Sequence, residues 1–163
     1  MLKRPHRLLV PAALAAAVAV AASGTLLAGC SPSQVSGCTG VSLAVHDTRT
    51  GRVTDDLHLT ARLTADGRPV AGRRVNFWLY DRGPGQPPGS GVFVGTKPTD
   101  ADGVARLTVV GGPAGVLTAG TTPTGFGAEK PRREDYCGAS ATAGLTCGAT
   151  APAPCPAVRL TVP

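Results

Sequence analysis

The sequence predicts an all-β protein, a β-sandwich of about seven short strands. Several segments alternate apolar with polar residues, which is the period of a strand with one buried face. Asp-Gly pairs and Gly/Pro-rich loops separate these segments, as turns between strands require. No segment of useful length after residue 29 has the 3.6-residue period of a helix. Short strands separated by such turns are typical of two sheets that enclose one core.

The first thirty residues have the layout of an export signal. Three basic residues within the first seven precede an apolar run, 8–22, and small residues follow it. A transmembrane helix is the alternative, but a bilayer-spanning helix needs roughly 20 apolar residues. The run is shorter than that, rich in Ala, and contains Pro11. We therefore predict that residues 1–29 form a signal peptide that is removed.

The end of this signal carries a motif, Leu27-Ala28-Gly29-Cys30. It resembles the lipobox of bacterial lipoproteins, an aliphatic residue and two small residues before a cysteine. The resemblance implies that the Cys30 sulfur receives a diacylglyceryl group and that cleavage leaves Cys30 as the first residue. Two acyl chains anchor a protein far better than one, since each buried CH₂ contributes about 0.8 kcal/mol. The implied location is the outer face of the bacterial cytoplasmic membrane; ordinary cleavage that leaves a free Cys30 is the alternative.

Removal of the signal also changes the charge of the chain. Lys3, Arg4 and Arg7 are lost, which leaves 13 basic and 10 acidic residues, a net charge of +3 instead of +6. Because part of the basicity belongs to the signal, we expect no nucleic-acid partner. The remaining 134 residues are enough for one domain with a core. We predict a tether over 30–40 and a β-sandwich domain over 41–163.

The candidate strands follow one another along this domain. Five segments alternate clearly, and their expected inward residues are Val41, Leu43 and Val45; Leu57, Leu59, Ala61 and Leu63; Val75, Phe77 and Leu79; Ala105, Leu107 and Val109; and Val158, Leu160 and Val162. Two shorter candidates are 92–94 and 116–119. Turns are expected at Asp66-Gly67 and Asp102-Gly103, and in the Gly/Pro-rich stretches 82–91 and 111–115.

Two stretches of the domain carry a family resemblance. "TARLTADGRPVAGRRVNFWL" (60–79) and "TDADGVARLTV" (99–109) resemble early strands and a later turn and strand of bacterial immunoglobulin-like domains of the invasin/intimin type. "AGVLTAG" (114–120) is similar to the strand that follows in that family. Transthyretin-like and carboxypeptidase-regulatory-like domains use nearly the same phrases and are the second choice. Both families imply a Greek-key sandwich, here an immunoglobulin-like one.

The C-terminal third departs from this pattern. Residues 121–157 are much longer than the usual connection of about 4–6 residues, so a long loop insertion is predicted there. With Cys30 assigned to lipid, four cysteines remain, and an even number in an exported chain favours two disulfides. A zinc site is disfavoured because the spacings are wide and only His46 and His58 survive processing.

The resemblance also suggests a disulfide pairing. In this fold the first and last strands often lie side by side and parallel. Cys38 shortly precedes the predicted first strand, and Cys155 shortly precedes the predicted last one. We therefore expect Cys38–Cys155, which leaves Cys137–Cys147 and staples the long loop. The sequence by itself permits all three pairings of four cysteines.

No residue pattern in the sequence predicts catalysis, a cofactor or a metal. Asp100 and Asp102 form D-x-D-G, but a calcium loop needs more oxygen ligands and a closing Glu, so a turn is expected. Asp55 and Asp56 are adjacent, whereas a glycosidase pair faces across a sugar cleft. The sequence has no G-x-S-x-G nucleophile motif. A non-enzymatic protein is predicted.

One strand offers a candidate surface. If Val75, Phe77 and Leu79 face the core, then Trp78 and Tyr80 lie on the opposite face with Asn76. Aromatic residues are enriched at interfaces, so Trp78 and Tyr80 are candidates for partner binding, unless a neighbouring loop covers them. The segment "KPRRED" (130–135) is expected to be a solvated loop, with contact to anionic envelope polymers as the alternative.

These observations together favour a lipid-anchored cell-surface protein with a non-catalytic binding, adhesion or structural module. Its expected partners are the membrane, through lipid at Cys30, and an unidentified envelope protein or polysaccharide. The alternative is a carbohydrate-binding or regulatory accessory domain that serves a cell-surface enzyme. A small hydrolase that uses the long loop is a third, weaker alternative.

Overall fold

A computed structural model of the protein describes residues 37–81, 91–133 and 135–159, which belong to one compact unit. The predicted signal peptide 1–29, Cys30 and most of the predicted tether lie outside these residues. The described strands are β1 (Ser42–Val45), β2 (Thr48–Thr50), β3 (Leu57–Ala65), β4 (Arg68–Pro69), β5 (Arg74–Tyr80), β6 (Val92–Pro98), β7 (Val104–Val109), β8 (Gly125–Lys130), β9 (Ala139–Cys147) and β10 (Ala153–Pro154). A single 3₁₀ turn, Pro113–Gly115, is the only helical element of the described part.

The first sheet is built around β3. Strands β1, β4 and β7 all pair with β3 in antiparallel fashion. The hairpin between β3 and β4 turns at Asp66 and Gly67, whose φ angles are 48° and 75°. Positive φ at both central residues is the signature of a type I′ hairpin turn, as the Asp-Gly pair predicted.

The second sheet has the order β10-β9-β8-β5-β6, and the short β2 pairs with β9 in parallel. Neighbouring strands along that order are antiparallel. The pairing of β5 with β6 shifts register between Phe77 and Trp78, which marks a β-bulge. This bulge decides which side chains of β6 face outward.

The core lies between the two sheets. The inward residues predicted for β3, β5 and β7 are buried, as are residues of β8 and β9 that the sequence did not predict: Leu57, Leu59, Ala61, Val75, Phe77, Leu79, Ala105, Leu107, Val109, Phe126, Ala128, Ala143 and Leu145. Full burial of a side chain such as Leu or Phe contributes about 1.5–3 kcal/mol. The predicted all-β sandwich is confirmed.

The region 121–157 is not a long loop, and that prediction was wrong. It contains β8 and β9, two of the inner strands of the second sheet, and the short β10. The burial of β8 explains the error, because five of its six residues are buried and its sequence GFGAEK does not alternate. A strand covered on both faces loses the period-two pattern by which a strand is recognised.

Two other strand predictions, 116–119 and the last strand near Val158, also differ from the structure. Residues 116–119 follow the 3₁₀ turn and form no strand. Val158 is buried in the core as expected, but 155–159 are irregular rather than extended in a sheet. Leu160 and Val162 lie outside the described residues.

All four cysteines after Cys30 form disulfides, but the expected pairing was wrong. The bonds are Cys38–Cys137 and Cys147–Cys155. An isolated parallel bridge between Thr39 and Tyr136 brings Cys38 beside Cys137. The antiparallel pairing of β9 with β10 then sets Cys147 opposite Ala153, two residues before Cys155.

Candidate binding surface

The outer face of the second sheet carries the residues that the sequence placed away from the core. Asn76, Trp78 and Tyr80 alternate with three fully buried residues of β5. Trp78 lies opposite Gly127 on β8 and opposite Phe93 on β6. The face therefore has an aromatic part around Trp78 and a polar part around Asn76.

The aromatic part is a pair formed by Trp78 and Phe93. Their ring centroids are 5.7 Å apart and the planes meet at 65°, an edge-to-face arrangement. Phe93 is 55% exposed and Trp78 is half-buried. The sequence did not predict that Phe93 lies opposite Trp78. That pairing depends on the β-bulge in β6, which no sequence pattern marks here.

Tyr80 does not belong to the exposed surface, which corrects the prediction that it binds a partner. It is 2% exposed. Its ring passes over Gly127, where a Cβ atom would lie 2.8 Å from Cζ and closer still to Oη. Burial, with a smaller effect of the Glu129 carboxylate, raises the pKa of the Tyr80 phenol. The buried, neutral phenol is part of the packing of this sheet.

Beside the aromatic pair lies a cleft of about 360 Å³. Its lining combines four basic residues with two polar ones and two small ones: Arg73, Arg74, Lys130 and Arg133; Asn76 and Thr96; Gly72 and Pro131. Thr96 Oγ1 donates a hydrogen bond to Asn76 Oδ1 at 2.6 Å. Asn76 connects the two parts of the face, since it lines the cleft and lies two residues from Trp78 on the same strand.

Lys130 holds one wall of this cleft in place. It is 3% exposed, and its Nζ donates to the carbonyl oxygens of Pro131 at 2.8 Å, Arg133 at 3.3 Å and Tyr136 at 3.1 Å. These three bonds fix the Lys130 ammonium at the end of β8. The prediction of a solvated loop over 130–135 is wrong for Lys130, although Arg133 is exposed.

The ring of Tyr136 supports two of these cations. The Arg73 guanidinium lies 4.8 Å from its centroid and Lys130 Nζ lies 5.9 Å from it, distances at which a cation is attracted to an aromatic face. The neighbouring Cys137 is bonded to Cys38. Thr39 adds two backbone hydrogen bonds, to the carbonyl of Asp135 and from the amide of Cys137. The wall is thus fastened covalently to the start of the described chain.

Asp100 builds a turn, as the sequence predicted. Its carboxylate accepts hydrogen bonds from the backbone amides of Asp102 and Val104 and from Arg106. The bond from the Val104 amide is the main cause that holds the pKa of Asp100 below its ordinary value, with the Arg106 side chain and the Asp102 amide adding to it and a smaller desolvation effect opposing it. The carboxylate is occupied by hydrogen bonds within the turn between β6 and β7.

The adjacent acids Asp55 and Asp56 also have local structural partners. Asp55 accepts from the Arg52 amide at 2.9 Å and pairs with the Arg52 side chain. Asp56 accepts from the Gly111 amide at 2.8 Å. These bonds fix the loops at one end of the first sheet, and they do not bring the two carboxylates to a common cleft.

Two further kinds of feature are absent from the described residues. Within 37–81, 91–133 and 135–159, no group of three or more His, Cys, Asp or Glu side chains is placed to hold a metal ion. The same ranges contain no helix long and apolar enough to cross a bilayer. The comparisons of the chain with protein-family models, with curated proteins and with solved structures found no match. The fold class and the disulfides are therefore assigned from the structure alone.

Proposed function

We propose that the chain is a lipid-anchored cell-surface protein whose sandwich serves as a non-catalytic binding, adhesion or structural module of a bacterial envelope. The anchor is proposed from the Leu27-Ala28-Gly29-Cys30 motif. The finer family assignment, an immunoglobulin-like domain of the invasin/intimin type, is part of the same proposal. It is supported by the all-β architecture with two sheets.

The exposed pair of Trp78 and Phe93 is the observation that carries the binding role. A ring that is 55% exposed, held edge-to-face against a second ring, offers apolar area without the entropy cost of ordering a flexible side chain. Aromatic residues are enriched at protein interfaces and among the residues that dominate binding energy. We propose this pair as the centre of the contact with a partner.

The edge of the sheet beside this pair favours contact through side chains. Strand β6 ends the sheet order, so one row of its backbone groups lacks a described partner strand. It also has a bulge, an exposed Lys97 and a terminal Pro98, which are devices that protect an edge strand from pairing with another chain. A partner is therefore proposed to dock on the outer face and not to add a strand.

Two substitutions test the aromatic pair. Trp78→Ala and Phe93→Ala are expected to weaken capture of an envelope partner by more than about tenfold each, because truncation of a central aromatic residue removes a large share of the binding energy. Binding is measured by pull-down from solubilised envelope, with a melting curve to establish that each variant is folded. Val110→Ala is the matched control, since Val110 is 77% exposed but lies after β7 of the first sheet. Equal capture by all three variants and the unmodified protein would overturn the proposal.

A third substitution tests the anchor. Cys30→Ser should abolish lipid addition and keep the protein out of the anchored membrane fraction, while the disulfides and the sandwich still form. Intact-mass measurement of the membrane fraction, with and without reductant, reports the lipid, the cleavage site and the number of disulfides together. An unlipidated mass for the unmodified protein would contradict the anchor and leave the binding surface untouched.

Carbohydrate binding is the second candidate, in the service of a cell-surface enzyme. The feature that favours it is the position of the Asn76–Thr96 hydrogen bond next to the aromatic pair, because ligand sites combine apolar rings with a few fixed polar groups. A glycan array separates the two candidates. Saturable binding to one glycan class, lost in Trp78→Ala, would favour the carbohydrate role over protein adhesion.

A further inference from the structure

The basic cleft has a chemistry that the aromatic pair does not explain. Arginine presents a planar fork of donors that fits carboxylate and phosphate oxygens with two parallel hydrogen bonds. The ion pairs between described residues join Arg52 to Asp55 and Arg106 to Asp100, both away from the cleft. Within the described part of the chain, no carboxylate is therefore ion-paired with the two exposed arginines of the cleft, Arg74 and Arg133.

The cleft is also preorganised. Lys130 is buried and donates to three backbone carbonyls, so it forms a fixed wall of the cleft and is not proposed as a ligand group. The Arg73 guanidinium is stacked on Tyr136, and the neighbouring disulfide holds that segment. A site that is rigid before binding loses less entropy when a ligand arrives.

The polar residues of the cleft complement the cations. Asn76 accepts from Thr96 through Oδ1, so the remaining group it can offer is an N–H donor. Glu129 is the direct cross-strand partner of Asn76 and places a carboxylate on the same face. It does not line the cleft, but its charge limits the net attraction for an anion. The two exposed arginines of the cleft, Arg74 and Arg133, supply the positive charge that a ligand can reach.

The position of the cleft along the chain indicates a source for the anion. Cys137, fastened to Cys38, follows directly on the Tyr136 ring that supports Arg73 and Lys130. Cys38 is eight residues after Cys30, and a fully extended chain of eight residues spans at most about 29 Å. If Cys30 carries lipid, the cleft side of the domain is thus kept within reach of the bilayer surface.

We infer that this cleft binds an oxyanion of the phosphate class and that the headgroups of anionic phospholipids in the anchoring membrane supply it. The inference rests on the proposed lipid anchor for the source of the ligand, but not for the site itself. A basic site of this kind would add a second membrane contact to the acyl chains, which is how stable membrane attachment is commonly achieved.

The first test titrates inorganic phosphate into the processed protein in a non-ionic detergent at constant ionic strength. Trp78 is the only tryptophan of the chain and lies on the same face as Asn76, so its fluorescence reports on the cleft. Equilibrium dialysis with labelled phosphate measures the same binding without relying on the tryptophan. We expect saturable binding, at least tenfold weaker in Arg74→Gln and in Arg133→Gln. Arg62→Gln, an exposed arginine of β3 in the first sheet, is the control and should bind phosphate as the unmodified protein does.

The second test incorporates the same protein into nanodiscs of phosphatidylcholine, alone or mixed with phosphatidylglycerol. A change in Trp78 emission only in the anionic discs, reversed by high salt and lost in Arg74→Gln, supports the headgroup. Phosphate binding without any effect of phosphatidylglycerol overturns the lipid source, and absence of both overturns the site. Failure to enter nanodiscs with phosphate binding intact counts against the proposed anchor and not against the cleft.

Discussion

Both sheets of this protein bury one face in the same core, but they differ in how far their outer faces are covered. In the first sheet, the central β3 has buried and exposed residues in strict alternation over its first seven positions, and only one of its faces is covered. In the second sheet, β8 is buried at five of six positions, and the phenol of Tyr80 passes over its Gly127. The first sheet has one solvent-exposed face, whereas β8 in the middle of the second sheet is covered on both faces.

This difference has consequences for stability. A substitution on the outer face of the first sheet meets solvent, but one on the outer face of β8 meets another side chain. In the second sheet, Cys147 lies in β9, Cys137 lies between β8 and β9, and Cys155 directly follows β10. The strands of the first sheet contain no bonded cysteine. The second sheet should therefore be the more sensitive of the two to small changes.

Removal of the disulfides is expected to have the largest effect. Cys38–Cys137 joins residues 99 apart and Cys147–Cys155 joins residues 8 apart. If disulfides act mainly on the entropy of the unfolded chain, loops of these lengths correspond to about 4.7 and about 2.6 kcal/mol. Urea unfolding of the paired Cys→Ser variants, Cys38 with Cys137 and Cys147 with Cys155, measures both losses. A greater loss for the shorter loop would show that local strain or packing outweighs loop entropy.

Gly127→Ala tests the covered face directly and should have the next largest effect. The added methyl group overlaps the Tyr80 ring, and overpacking of this kind typically costs about 1–3 kcal/mol. Thr60→Ala is the control at an exposed position of β3 and should change stability by less than about 0.5 kcal/mol.

A double variant identifies the cause of that loss. Because the closest overlap is with the Tyr80 hydroxyl, Tyr80→Phe should recover part of the stability that Gly127→Ala removes. The free energies of unfolding of the two single variants and the double variant form a cycle. Strict additivity in that cycle would mean that Tyr80 is not what makes Gly127 necessary.

The smallest expected effect lies in the turn that leads from β6 into β7 of the first sheet, at Asp100. Its folded-state pKa is lower than the ordinary 3.8, so the stability it contributes is present above that value and is lost as the pH falls through the folded pKa. Asp100→Asn should therefore lower the melting temperature near neutral pH and flatten its fall in acid. Melting curves from pH 7 to about pH 2 check this, with Asp102→Asn as the neighbouring exposed control. An unchanged acid limb in Asp100→Asn would contradict it.

The sequence pattern of each strand, more than the sheet to which it belongs, explains which parts of the fold were predictable. Alternation identified β3, β5 and β7 because large apolar residues of the core face recur at every second position in each of them. It failed for β8, where glycine makes room for a covering side chain and the period disappears. Strand β9 does alternate, but three of its five apolar positions are alanine, a residue that favours strands only weakly. The resulting error, a loop in place of two strands, also misplaced the disulfides, because the first and last strands no longer had the expected neighbours.

The candidate site was predictable only in part. Trp78 was identified because the position of a side chain on a strand follows from its neighbours. The position of Phe93 opposite Trp78 depends on a bulge that the sequence does not reveal. The burial of Tyr80 depends on Gly127 in β8, a strand that the sequence did not predict. Lys130 appeared in a charged run typical of solvated loops, but its Nζ is surrounded by the carbonyls of Pro131, Arg133 and Tyr136, an arrangement that depends on the path of the chain after β8.

The bond between Cys38 and Cys137 also sets the path of mechanical load. Tension on the chain ahead of Cys38 passes through two sulfur atoms to the β8–β9 connection before it reaches β1. A covalent bond carries that tension where hydrogen bonds would yield one after another. In the reduced protein, the two backbone bonds of Thr39 would take the load first, and β1, whose partner among the described strands is β3, would be next to separate.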